Sequence, residues 1–246
     1  MTLKILLSGA KGRMGNSIQS IAQDHNCEIT YPVDIGDNAE DGITESDVVV
    51  DFSLRAATLP LALLAAANDK PVVIGTTGHS QSEKDEIISL SEIIPIVWAG
   101  NFSTGVNLLF YLTEQVARVL DEKSDFDPEV IEIHHKLKKD SPSGTAERLL
   151  EIIKDSRELK NEDVTHGRSG MVGERKKTEI GCFSLRGGDV VGDHTVMYAG
   201  IGERIELTHR ASDRTVFAAG ALRAAKWIYE KEPGLYSMQD VLGLRS

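Results

Sequence analysis

With 246 residues, 41% of them apolar, the chain can bury a sizeable core as one large domain or two modest ones. Its 27 Lys and Arg against 38 Asp and Glu leave a net charge of −11, which excludes the broad basic surface that nucleic acid or an anionic membrane requires. Two cysteines, Cys27 and Cys182, lack metal-type spacing and are too few for a disulfide framework, so both read as reduced packing residues and no metal site is expected.

The N-terminal apolar run from Leu3 to Leu7 is too short for a signal peptide and reads as a first strand. Further β-branched runs follow at Glu28 to Val33, Val48 to Phe52, Val72 to Ile74 and Ile94 to Trp98. Between them Met14, Ile18, Ile21 and Ala22 share one helical face, and Ala57 to Ala67 is apolar nearly all round. Strands alternating with helices predict parallel βαβ units with helices on both faces of the sheet. No stretch reaches the roughly 20 apolar residues of a membrane span, so a soluble, cytoplasmic protein is expected.

After Asn101 the rhythm changes. An amphipathic stretch from Val106 to Leu120 precedes a strand from Glu129 to His135 and a helix from Ala146 to Ile153. The polar segment Lys160 to Lys177 has no apolar period and predicts a mobile loop. Three strand-like runs without intervening helices, Glu179 to Leu185, Val190 to Tyr198 and Arg204 to His209, predict a partly antiparallel sheet. An alanine-rich helix from Thr215 to Tyr229 is placed back on the first sheet. The predicted fold is α/β: a Rossmann-type parallel-sheet domain of residues 1–104 and 213–246, and an α+β domain of residues 105–212 with a mixed, largely antiparallel sheet.

Directly after the first strand lies Gly9-Ala10-Lys11-Gly12-Arg13-Met14-Gly15, a G-x-x-G-x-x-G variant of the dinucleotide fingerprint that opens a helix. Glycines there permit a tight turn and close approach of a pyrophosphate to the helix N-terminus. Asp34, closing the second strand, stands where an acid accepts hydrogen bonds from the adenosine ribose. Asp34 alone favours NADH by repelling a 2′-phosphate, whereas Lys11 and Arg13 offset that repulsion, so both NADH and NADPH are expected to bind. Gly75-Thr76-Thr77-Gly78 follows the fourth run at the edge where ligands sit in open α/β sheets. Alone, it is only a turn.

The densest chemistry is Glu132-Ile133-His134-His135-Lys136-Leu137-Lys138-Lys139-Asp140-Ser141-Pro142-Ser143-Gly144-Thr145-Ala146. Two imidazoles and three ammoniums between a strand end and a helix start predict a local positive field in an acidic chain, hence an anionic ligand. The Gly144 and Thr145 amides open the helix and can hold a carboxylate, so a di-acid is expected. His134 is the candidate proton donor, Lys138 neutralises a substrate carboxylate, and His135 orients the substrate. His79, His166, His194 and His209 read as isolated structural residues and His25 as a surface residue. Two other readings remain: another two-domain amino-acid dehydrogenase, or a non-catalytic NAD-binding regulator, which needs no proton donor.

Across essentially its whole length the sequence resembles the dihydrodipicolinate reductase family, also called 4-hydroxy-tetrahydrodipicolinate reductase. The segments that carry this are Glu132 to Ala146, fitting E-x-H-H-x-x-K-x-D-x-P-S-G-T-A, with Gly75 to Gly78, Asn101-Phe102-Ser103 and Arg186 to Val196. The resemblance implies a Rossmann-type N-terminal domain, a C-terminal substrate domain whose sheets assemble a homotetramer, and a hinge closure. It implies reduction of a small dicarboxylate cyclic imine by NADH or NADPH in lysine and diaminopimelate biosynthesis. By the same resemblance His134 is the acid/base residue, Lys138 a second proton donor, and His135, Gly144 and Thr145 bind substrate. The resemblance also implies that Gly9, Ala10, Lys11, Gly12, Arg13, Met14, Asp34, Gly75, Thr76, Thr77, Ala99, Gly100, Asn101 and Phe102 lie against the cofactor. Ile35 stands where certain members carry an arginine for the NADPH phosphate.

Overall fold

A computed structural model describes residues 2–120 and 123–244. The predicted domain limits at residues 1 and 246 lie outside the described residues. The chain runs β1 (Leu3–Ser8), α1 (Arg13–Ile21), β2 (Cys27–Val33), α2 (Glu40–Ile43), β3 (Val48–Asp51), α3 (Arg55–Ala67), β4 (Val72–Ile74), α4 (Gln81–Leu90) and β5 (Pro95–Trp98). It continues as α5 (Thr104–Val119), β6 (Asp127–His134), α6 (Gly144–Arg157), β7 (Val164–His166), β8 (Ile180–Arg186), β9 (Gly192–Ala199), β10 (Arg204–Ala211), α7 (Thr215–Ile228), β11 (Gly234–Tyr236) and α8 (Met238–Val241). Two compact units result, Met1–Thr104 with Arg214–Ser246, and Gly105–Asp213.

The first unit is built on a six-stranded sheet of order β11-β5-β4-β3-β1-β2, parallel throughout. Both faces are covered, which is why its central strands read as unbroken apolar runs. Ile5, Leu7, Val48, Val50 and Val73 pack with Ile18 of α1 and with the alanines of α7. Leu6, Val49, Val72 and Ile96 face the other way onto Leu61 and Ala65 of α3 and Ile87 of α4. Each such fully buried Leu or Ile contributes about 1.5–3 kcal/mol relative to exposure. Small residues on α7 allow close approach: a Cβ on Gly220 would stand 1.7 Å from the Phe102 carbonyl oxygen.

The second unit holds a five-stranded sheet of order β10-β9-β6-β8-β7, in which β9 runs antiparallel to β10 and β6, whereas β8 runs parallel to β6 and β7. The antiparallel pairings cover the longer stretches, and the sheet is mixed as expected. One face, carrying Val130, Cys182, Val196 and Tyr198, packs on Val106 and Phe110 of α5 and Leu149 and Ile153 of α6.

One expectation needs correction. Lys160 to Lys177 is not a structureless loop, because it contains the edge strand β7, and the segment beyond it is pinned to the sheet. Arg168 donates to both Glu129 oxygens at 3.1 and 2.9 Å, and Arg175 reaches Glu129 at 3.1 Å and Asp127 at 2.7 Å. These charges pair across the fold, so a period count over the loop alone cannot see them.

Candidate active site

In the first unit the parallel register places the ends of β1 to β5 along one edge of the sheet. Gly9 leaves β1 at φ +80, and its amide and that of Ala10 donate to the Val33 carbonyl at 2.9 and 3.1 Å. A Cβ on Gly9 would lie 2.3 Å from the Phe52 carbonyl oxygen, so only glycine fits this turn. Gly12 caps α1 with no side-chain hydrogen bond, which leaves the helix N-terminus unobstructed by its own cap. Asp34 follows β2, its Oδ1 accepting from the Ile35 amide at 2.9 Å and its Oδ2 from the Lys11 amide at 2.8 Å. Those two amides hold the carboxyl below its usual range, so it stands ionised beside the glycine turn.

The turns after β3, β4 and β5 join the same edge. Buried Asp51 accepts from the Ser53 amide at 3.0 Å and from the Thr58 hydroxyl at 2.7 Å, and the Ser53 amide also donates to Thr76 Oγ1 at 3.1 Å. The Phe52 ring stacks edge-on against Phe102 at 5.3 Å and covers Gly75. The Ala99 amide donates to Ile74 at 3.1 Å, and Gly100 lies beside the methyl of Thr77. Arg13 and Met14 open α1, and Asn101 accepts from the Ser103 amide at 2.9 Å, so the predicted residues gather at these turns, with one refinement. The side chains of Ala10, Thr76 and Phe102 are buried, so these residues shape the edge rather than present side chains to a ligand. An open helix N-terminus, a tight glycine turn and an ionised acceptor together fit a dinucleotide. Asp37, not foreseen, brings a carboxylate 4.0 Å from the Lys11 ammonium and tempers that lysine's charge.

In the second unit β6 delivers Glu132 and His134 to one face by the strand's period of two. Glu132 is completely buried, and its carboxylate faces His134 Nδ1 at 2.5 Å. Arg186, at the end of β8, clamps both oxygens at 2.8 Å, and the Ser143 amide donates to Oε1 at 3.2 Å. Ser143 caps α6, accepting from the Ala146 amide at 3.2 Å, while its hydroxyl meets His194 Nε2 at 3.1 Å. The His194 ring lies edge-on to that of His134, centroids 5.1 Å apart.

The β8–β9 turn completes the site. His134 accepts at its carbonyl from the Gly187 amide at 2.9 Å, and the His135 amide donates to Val190 at 2.8 Å. The Nδ1 of His135 is buried without a hydrogen-bond partner among the described residues. Lys138 pairs with Asp140 at 2.8 Å. Gly144 and Thr145 open α6 beside Ser143, at the positive end of the helix dipole. His134, His135, Lys138, Gly144 and Thr145 therefore share one end of this sheet.

Electrostatics here differ from the bare sequence count. Burial pushes the His134 pKa down, Glu132 opposes this, and Lys138 and Arg186 reinforce it. Burial would raise the Glu132 carboxyl, but hydrogen bonds from Arg186, His134 and Ser184 outweigh it and bring the pKa to about 2. Burial takes His194 down to about 3, with His134 adding to the shift. Burial thus works against a charge on His134, one of the five side chains counted towards the positive field. His194 is corrected from an isolated structural residue to a direct neighbour of His134. Glu132, Arg186, Ser143 and His194 were missed as a network, although strand alternation alone pairs Glu132 with His134. Among the described residues no cluster could hold a metal, and no helix is long and apolar enough to cross a membrane.

Comparisons with known proteins find relatives along the length of the chain. The family described as dihydrodipicolinate reductase matches in both its parts, the N-terminus over residues 3–102 and the C-terminus over residues 105–242. A 4-hydroxy-tetrahydrodipicolinate reductase of Akkermansia muciniphila is 50% identical over 244 residues, covering 98% of each chain. One from Aquifex aeolicus is 45% identical, covering 99% of this chain and all of its own. The solved structure of a dipicolinate-bound dihydrodipicolinate reductase from Paenisporosarcina sp. TG-14 has the same fold, with TM-score 0.79 at 22% identity over 98% of this chain and 99% of that one. With both family parts matched in order along the chain, this protein belongs to the dihydrodipicolinate reductase family of oxidoreductases.

Proposed function

We propose that this chain uses NADH or NADPH to reduce dihydrodipicolinate, formed from 4-hydroxy-tetrahydrodipicolinate, to tetrahydrodipicolinate, a cytoplasmic step towards diaminopimelate and lysine. The observation that carries the reading is the 50% identity to a relative of that name over 98% of both chains. Residues 1–104 and 213–246 form the dinucleotide domain, and residues 105–212 the substrate and oligomerisation domain.

When bound, the nicotinamide supplies hydride to the substrate ring. The Gly9 to Met14 turn seats the pyrophosphate on the α1 N-terminus, and Asp34 accepts from ribose hydroxyls. Gly75 to Thr77 and Ala99 to Phe102 shape the rest of that edge. The Lys138 ammonium neutralises one substrate carboxylate and serves as a second proton donor, while His135 and the Gly144 and Thr145 amides hold the ring's other polar groups. His134 gives the proton that the ring takes up as its electron density rises.

The sheet face opposite α5 and α6 presents Ile131, Ile133, Phe183, Leu185 and Met197, all at least partly accessible, with the Arg168 guanidinium over the Phe183 ring. These accessible apolar side chains support a homotetramer built through the sheets.

Calorimetry with pyridine-2,6-dicarboxylate, a planar di-acid, tests the reading. Saturable binding at saturating reduced cofactor is expected, and no binding under that condition would overturn it.

A further inference from the structure

A buried carboxylate with its acceptor positions filled by donors does little for a surface ligand, but it dictates the hydrogen on its neighbour. Glu132 is such a group. A carboxylate offers about four acceptor sites. Here Arg186 fills two at 2.8 Å each, the Ser143 amide approaches at 3.2 Å, the Ser184 hydroxyl also donates, and His134 Nδ1 stands at 2.5 Å. We infer that Glu132 is a positioning residue for His134: clamped by Arg186, its carboxylate holds the imidazole with hydrogen on Nδ1, which makes Nε2 the nitrogen that delivers the proton. This rests on the proposed role of His134 as proton donor.

Arginine and amide partners are donors only, and the Ser184 hydroxyl donates as well, so Glu132 acts as an acceptor throughout and the hydrogen between it and His134 belongs to the imidazole. The low carboxyl pKa agrees with that assignment. Nε2 faces Gly192, where an added Cβ would stand 3.0 Å away, so glycine keeps that flank open. His194 does not pair with Nε2: its own Nε2 meets Ser143, and its Nδ1 is buried without a hydrogen-bond partner among the described residues. Besides burial, the charged groups that act on His134 are Glu132 on β6, Arg186 on β8 and Lys138 in the following loop, while the titratable ring of His194 on β9 packs edge-on against it.

The proton accounting is simple. As the substrate ring takes up hydride, the Nε2–H bond of protonated His134 breaks and its proton passes to the ring. His134 is left neutral with hydrogen on Nδ1, still donated to Glu132, and solvent restores the Nε2 proton. A carboxylate that merely tied β6 to β8 and α6 would affect stability without setting which nitrogen carries hydrogen.

Nitrogen-15 NMR of the His134 ring in the intact protein tests the assignment without any substitution. Neutral His134 is expected with Nδ1 protonated and Nε2 bare, and the opposite tautomer would overturn the inference. In Glu132→Gln, kcat is expected to fall on the order of 100-fold with KM within about threefold. The limb of the kcat profile assigned to His134 should move to lower pH, since the carboxylate that favours its charged form is gone. An unchanged limb and tautomer in a folded Glu132→Gln protein would reduce Glu132 to a structural tie. If His134→Ala keeps full turnover, the proposed proton donor fails while the wild-type tautomer still stands, so the two failures are told apart.

Discussion

The imidazole of His134 sits between opposed influences: burial favours the neutral ring, and the carboxylate of Glu132 favours the charged one. Its neighbour Lys138 is partly accessible and shares its charge with exposed Asp140. The two residues should therefore fail differently. His134→Ala is expected to lower kcat by about 100-fold or more while KM changes little, whereas Lys138→Ala should lower kcat and raise KM together, as steady-state kinetics would show. Equal turnover in wild type and His134→Ala would remove the histidine from the chemistry. Both residues were legible in the sequence, since a His-His-x-x-Lys run beside a helix start is dense in chemistry. Arg186 and His194 were not, because they arrive from β8 and β9 and only the sheet register brings them to Glu132.

The glycine turn between β1 and α1 shows how a short connection is fixed from both sides. Gly9 has φ +80, and its missing Cβ makes room for the Phe52 backbone, whose ring in turn covers Gly75. Gly9→Ala should weaken NADH binding at least about tenfold, equivalent to about 1.4 kcal/mol, in a fluorescence titration. An unchanged Kd would contradict the claim that this turn seats the dinucleotide. The turn was readable because its glycines follow an apolar strand and precede a helical face. By contrast β7 and β11 have three residues each and sit at sheet edges, too short for any period to register. The helix α4 begins at a capping box of Ser80 and Glu83, a local signal that apolar periodicity does not capture.

Acid should destabilise the whole chain for an identifiable reason. Burial lowers the His194 pKa to about 3, so below the ordinary histidine value of 6.5 the unfolded chain binds a proton that the folded chain refuses. Stability from this group is fully present above pH 6.5 and declines as pH falls towards 3, by about 1.4 kcal/mol per pH unit. Glu132, held at about 2 against its ordinary 4.5, adds a loss between those values. The urea midpoint should be lower at pH 5 than at pH 7.5 in wild type, with a smaller difference in His194→Gln; equal sensitivity in both would count against His194. Assembly belongs to this level too. Light scattering in dilute buffer should give four copies, and Ile133→Glu should dissociate them; a stable wild-type monomer would overturn the tetramer.

Two predicted sites, one for a dinucleotide and one for a cyclic di-acid, have a single joint consequence. Oxidation of NADH followed at 340 nm should proceed when freshly generated dihydrodipicolinate is added, and should stop in the absence of either substrate or protein. No oxidation above the uncatalysed background, with cofactor binding intact, would contradict the assignment of this chain as the reductase of that substrate.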